Sequence, residues 1–158
     1  MFKACLVCLL GLAAFVASPL TSPRNQAPTR TQCTTEYQTR MIAEETSLPE
    51  YPSETEPGSS KGLVFATVLF GTDGKLSKIK FYETPNEQAS EAVKTALEKW
   101  RLQKLFGGGQ EPIMTKTGIR FHFVFEGDKG RVEVATEQEQ GEFGREWGKK
   151  VCRASFDE

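Results

Sequence analysis

The stretch from Gly62 to Phe125 constrains this chain most, because turn signals there separate segments with two different hydrophobic periods. It opens on an apolar run, Leu63 to Phe70, rich in the branched and aromatic types that suit strands. Gly71-Thr72-Asp73-Gly74 follows, and its Asp-Gly pair supplies the positive φ that a tight reversal needs. The second arm, Leu76 to Tyr82, sets Ile79 and Phe81 among lysines, so one side of it faces water. Ala89, Ala92, Val93, Ala96, Leu97 and Trp100 then form one stripe at the helical period. Thr84 as N-cap, Pro85 in the first helical position and Glu87 completing a capping box mark the expected helix start. Beyond Gly107-Gly108-Gly109, which is expected to be a flexible exit from the helix, Ile119, Phe121, Phe123 and Phe125 alternate with Arg120, His122 and Val124. That is the period of a strand with one buried face.

The unit therefore belongs to the α+β class and follows a β-β-α-β order. The hairpin makes strands one and two antiparallel, and the helical crossover makes strand three parallel to strand two. Strand one fits between them, giving a small antiparallel sheet of order 2-1-3 with one helix packed on a face and strand three at an edge. Val64, Ala66, Val68, Phe70, Ile79, Phe81, the helix stripe and the phenylalanines of strand three are expected to share one core anchored by Trp100. After a turn at 127–130, Arg131 to Ala135 alternates as a fourth strand would, pairing with strand three and occupying its edge. In the polar segment 137–158, Phe143, Trp147 and Val151 lie four apart as on a helix, a reading that three glycines weaken.

The first 17 residues have the pattern of a signal peptide: Lys3, then an uncharged apolar stretch from Ala4 to Ala17. That stretch is too short to cross ~30 Å of hydrocarbon comfortably, although an uncleaved anchor is the alternative. Export to an oxidising compartment, periplasmic or secreted, leaves Cys33 and Cys152 as an even pair. A disulfide tying the N-terminal arm to the C-terminal tail is expected, against the alternative of two unpaired thiols. Residues 18–47 form a flexible leader, with almost no large apolar side chains over 18–35, within which Tyr37 to Ser47 can form a short helix with Tyr37, Met41 and Ile42 as its apolar side. Glu44, Glu45, Glu50, Glu54 and Glu56 make the approach to the domain acidic, as a solvated face. Residues 48–126 are the domain, and 127–158 a C-terminal extension.

A net charge of −1 and a sequence pI near 6.0 argue against a general nucleic-acid binder. No catalytic constellation is visible. His122 is the single histidine and alternates outward on strand three, with no second histidine or close cysteine pair to complete a transition-metal site. The triple glycine lacks the Lys-Ser/Thr sequel of a phosphate cradle. The chain is read as a non-enzyme with no catalytic residues, no metal site and no cofactor.

Six features in order resemble the TonB C-terminal domain family over residues 48–126: Tyr51-Pro52, the strand opening at Gly62, Asp73-Gly74-Lys75, the helix ending in Trp100-Arg101-Leu102, Gly109 to Ile113, and Ile119-Arg120-Phe121-His122-Phe123. The resemblance implies a periplasmic domain that grips an extended peptide, such as a segment of an outer-membrane receptor, by strand addition at a sheet edge. Ile119, Arg120, Phe121, His122 and Phe123 would then be partner-binding. So would Pro49, Tyr51 and Pro52, which match a Gln-Pro-x-Tyr-Pro motif in which Leu48 replaces the glutamine. Departures from the family are the short apolar segment without a histidine and the missing long proline-rich rod. They favour a stand-alone exported binding or envelope-assembly module. The alternative is a component of TonB-dependent transport.

Overall fold

The computed structural model describes residues 30–53 and 57–156, so the predicted signal segment 1–17, Glu54 and Glu56 lie outside the described residues. Eleven elements follow in order: β1 (Thr31–Cys33), α1 (Glu36–Met41), β2 (Ala43–Glu45), β3 (Gly62–Phe70), β4 (Leu76–Glu83), α2 (Glu87–Glu98), β5 (Arg101–Leu102), β6 (Leu105–Phe106), β7 (Pro112–Glu126), β8 (Lys129–Val134) and α3 (Glu137–Arg153). The class is α+β. The main sheet runs β1-β7-β3-β4, with β6 and β8 also paired to β7, while β2 and β5 form a separate two-stranded ladder. A three-stranded sheet with one helix is therefore too small a description: a six-stranded sheet, a two-stranded ladder and three helices are present among the described residues.

The β3–β4 hairpin closes where the dipeptide signal placed it. Gly71 donates to the Lys75 carbonyl at 2.8 Å, the Lys75 amide donates to Asp73 Oδ1 at 3.1 Å, and Gly74 sits at φ +78°. A Cβ at Gly74 would collide with the Leu102 carbonyl oxygen, because β5 packs directly on the turn. Only glycine satisfies both demands.

Helix α2 starts later than Thr84. Asn86 is its N-cap, accepting from the Ala89 amide at 2.8 Å and donating to the Ser59 carbonyl and Ser60 Oγ. Thr84 instead donates to the Asn86 carbonyl at 2.6 Å. An asparagine can cap and reach across to a second segment at once, which a threonine two residues earlier cannot. The helix lays Ala89, Val93, Ala96 and Leu97 on the sheet, and Trp100, just past its C-cap, is fully buried. Its ring stacks on Phe70 and its indole N–H donates to the Ser47 carbonyl at 2.9 Å. Val64, Ala66, Val68, Phe70, Ile119, Phe121 and Phe123 complete this core, with Ile79 and Phe81 half-buried at its margin.

Four expectations are corrected. The triple glycine is not the helix exit but the loop of the β6–β7 hairpin, closed by Gly107 donating to the Glu111 carbonyl at 2.8 Å. Helix α1 is shorter than 37–47 and buries Glu36 and Thr39, leaving Tyr37 43% and Met41 66% exposed. The tail forms α3 despite its glycines, started by a capping box between Thr136 and Glu139. Tertiary packing of Gln140 and Val151 outweighs the propensity cost of about 1 kcal/mol per glycine. The side chain of Phe143 lies outside the described residues. Finally, the edge of strand three (β7) is taken by more than the expected fourth strand: β3 lies on one side of it and β1, β6 and β8 on the other.

Candidate interaction surface

The second edge of β7 is paired by the chain itself over 112–116 and 121–126. β6 pairs with Pro112 and Ile113, and β1 pairs in parallel with Met114 to Lys116. β8 takes Phe121 to Glu126, the arrangement expected of the fourth strand. Between β1 and β8, α1 packs against β7 and α3. There Glu36 lies against Arg120, with Oε2 at 3.7 Å from Nε, and accepts from Arg40 Nη2 at 2.8 Å. Burial pushes the Glu36 carboxyl above the ordinary carboxylate value, even though both arginines draw it down. Arg120 also donates to the Glu139 carbonyl at 2.8 Å and so ties β7 to the first turn of α3.

A disulfide joins Cys33 at the end of β1 to Cys152 in α3, with 5.7 Å between their Cα atoms. Lys116, opposite Cys33 in the ladder, reaches the same place and donates to the Cys152 carbonyl at 3.3 Å and to the Ala154 carbonyl. Burial holds its ammonium below the usual lysine range. The N-terminal arm and the C-terminal helix are therefore fastened at one point of the β7 edge.

The sequence-predicted contact residues divide into groups. Ile119, Phe121 and Phe123 are buried in the core, and their backbones pair with β3. Arg120 is taken by Glu36 and Glu139, while His122 is half-buried opposite Glu133. Pro49 is buried. The Tyr51 ring lies 5.9 Å from that of Phe123 and 6.0 Å from that of Phe125, and it covers Gly130 so closely that a Cβ there would run into it. Tyr51 thus clamps the β7–β8 hairpin. Tyr51 and Pro52 also line a groove of about 310 Å³ against α2, formed with Leu48, Gln88, Ala92 and Lys99.

The opposite end of the sheet differs. β4 has β3 as its one strand partner among the described residues, so its outer side ends the hydrogen-bonded order. Lys75, Lys78 and Lys80 line this strand and its turn, all exposed or half-buried. Among the described residues no group of three or more His, Cys, Asp or Glu side chains converges as a metal site would require, and no helix is long and apolar enough to cross a membrane. No protein-family model and no curated protein matches this chain.

Residues absent from the sequence reading include Glu36, Lys116 and the α3 side chains Lys150 and Arg153. Two helix starts carried readable signals, since Thr35 with Gln38 and Thr136 with Glu139 are both capping boxes. The partners of those helices left no local signal.

Proposed function

We propose that this chain is an exported binding module of the TonB C-terminal type, which recognises an extended peptide or partner protein by pairing its backbone with a sheet edge. One observation carries the reading: the sheet already takes a short parallel strand, β1, along Met114 to Lys116, while β4 ends the ladder at the other side. A strand's outer N–H and C=O groups are a template for a further strand. Because β1, α1 and β8 line the β7 edge, the incoming peptide adds to β4. Lys75, Lys78 and Lys80 favour an acidic segment and oppose pairing with a second copy of the same edge. The N-terminal apolar segment and the disulfide support export. The likeness to the family rests on the motif order within 48–126.

The test is titration of the mature chain, beginning near Ser18, with a panel of extended peptides from the N-terminal segments of outer-membrane receptors, acidic and neutral. Backbone amide shifts are the readout. Binding is expected to move residues 76–83 and to favour the acidic members. Shifts confined to 114–124 would place the partner on the β7 edge after displacement of the chain's own strands. No binding by any peptide would refute strand addition as the function.

A further inference from the structure

The bridge between Cys33 and Cys152 fastens a strand that little else holds. β1 is exposed at all three positions, and neither it nor Cys152 contributes to the hydrophobic core. Both cysteines are exposed, and both line two cavities, one of about 130 Å³ that includes Gly118 and Gln140 and one of about 220 Å³ walled by Leu69 and Phe156. An exposed disulfide is the kind that exchanges with thiols.

Lys116 stands at the same point. It lines the larger cavity with both cysteines, and its ammonium lies 5.2 Å from the centre of the Phe156 ring. Two of the three donors of that ammonium are engaged by the Cys152 and Ala154 carbonyls. A cation fixed beside a cysteine favours its thiolate, which eases its departure from a disulfide. Thr31 is the one other β1 residue lining this cavity.

We propose that the bridge is a redox latch on the β7 edge. Reduced by a protein dithiol, it releases β1, and Met114–Lys116 then pairs with an extended segment of a partner protein. That segment carries an aliphatic residue at the Thr31 position and an acidic residue at the Cys33 position. In the reduction, one thiolate of the dithiol attacks a bridge sulfur, the S–S bond breaks and the other cysteine leaves as a thiolate. The second thiol of the reductant then displaces the first, so the dithiol ends as a disulfide and both cysteines take up protons. The backbone groups that β1 engages, the Met114 amide and the Lys116 carbonyl, suit any parallel strand. The partner's aliphatic side chain enters the larger cavity against Leu69 and Phe156, and its carboxylate meets Lys116, which lies opposite Cys33 in the ladder. The latch rests on strand addition as the way this chain binds, but it uses β7 and α3 and no residue of β4.

The experiment titrates the mature chain, oxidised and after dithiothreitol, with a peptide of the chain's own residues 28–35 carrying Thr31→Leu and Cys33→Asp. A second peptide has Cys33→Lys in place of the acid, and a third adds Gln32→Pro to the first, which removes a ladder donor. Dithiothreitol is expected to open the bridge while the amides of 64–70 keep their folded shifts. The first peptide should then move 112–118 and 152–156, binding at least about tenfold more tightly than to the oxidised chain and than the lysine peptide does, the size of one charge-assisted contact. The β4 reading is tested in the oxidised chain at 76–83 and the latch in the reduced chain at 112–118, so either can fail alone. Equal binding in the two redox states, equal binding of the proline peptide, no shift at 112–118 with millimolar peptide, or loss of the folded shifts at 64–70 on reduction would overturn the proposal.

Discussion

Removing the Cys33–Cys152 bridge tests how the N-terminal arm is held on the sheet. The two cysteines are 119 residues apart, and a loop of that size corresponds to about 4.9 kcal/mol in the chain-entropy description of the unfolded state. The folded side of the balance points the same way. β1 is three residues long and exposed at every position, so it buries no side chain that could hold it. Its local anchors are backbone bonds, with Met114 donating to the Arg30 carbonyl and Thr34 donating to the Lys116 carbonyl, each at 2.9 Å. The C-terminal end of α3 retains Lys116 on the Cys152 and Ala154 carbonyls. A Cys33→Ala/Cys152→Ala double variant is therefore expected to lose about 3–5 kcal/mol in urea unfolding. Tryptophan fluorescence suits the measurement, because Trp100 reports the α2 side and Trp147 the α3 side. Amide exchange should accelerate at 31–34 and 114–116 beyond the change in β3, since the arm loses its one covalent tether. The wild type in reductant should match the variant. A loss below about 1 kcal/mol, or exchange that rises evenly with no excess at β1, would refute the reasoning.

Two further outcomes follow from single positions. Gly74→Ala should destabilise by more than Gly127→Ala: both glycines have positive φ, which alone costs about 1–2 kcal/mol, but a Cβ at 127 meets nothing while one at 74 meets the Leu102 carbonyl. Equal losses in thermal or urea unfolding would remove that collision from the account. Glu36 sets a pH dependence. Its carboxyl is raised above the ordinary value of 4.5, chiefly by burial, so the folded state holds the proton more tightly than the unfolded chain does. Its contribution is therefore most favourable below 4.5 and is lost as pH rises through the raised value. Relative to Glu36→Gln, the wild type should lose stability over that rise, and a pH-independent difference in urea midpoint would contradict it.

Much of this fold can be read locally. The apolar run of β3, the Asp73-Gly74 reversal, the α2 stripe and the alternation of β7 each place an element within a few residues of where it forms. The misreadings share one cause. Thr84 and Asn86 are both good caps by type, and the choice between them falls to Ser59 and Ser60, more than 25 residues away in sequence. Tyr37 and Met41 look like the inner side of α1 on hydrophobicity alone. Arg120 and Arg40 reverse that choice by drawing Glu36 inward.

The strand expected to carry the site was legible, but most of its neighbours were not. Residues 119–123 form the middle of β7 with β3 paired on one side, and the sequence already supplied the fourth strand that pairs on the other. It did not reveal β1, because two polar residues and a cysteine have no period and no buried face. Thr67 on β3 and Trp147, Lys150 and Arg153 on α3 meet only when α3 lies on the sheet. By itself, the sequence determined the strand and helix periods, the tight turn and the two cysteines available to pair, since each depends on neighbours along the chain. The tertiary structure decided which edge is closed and which cap is used, because those depend on contacts between segments that share no local pattern.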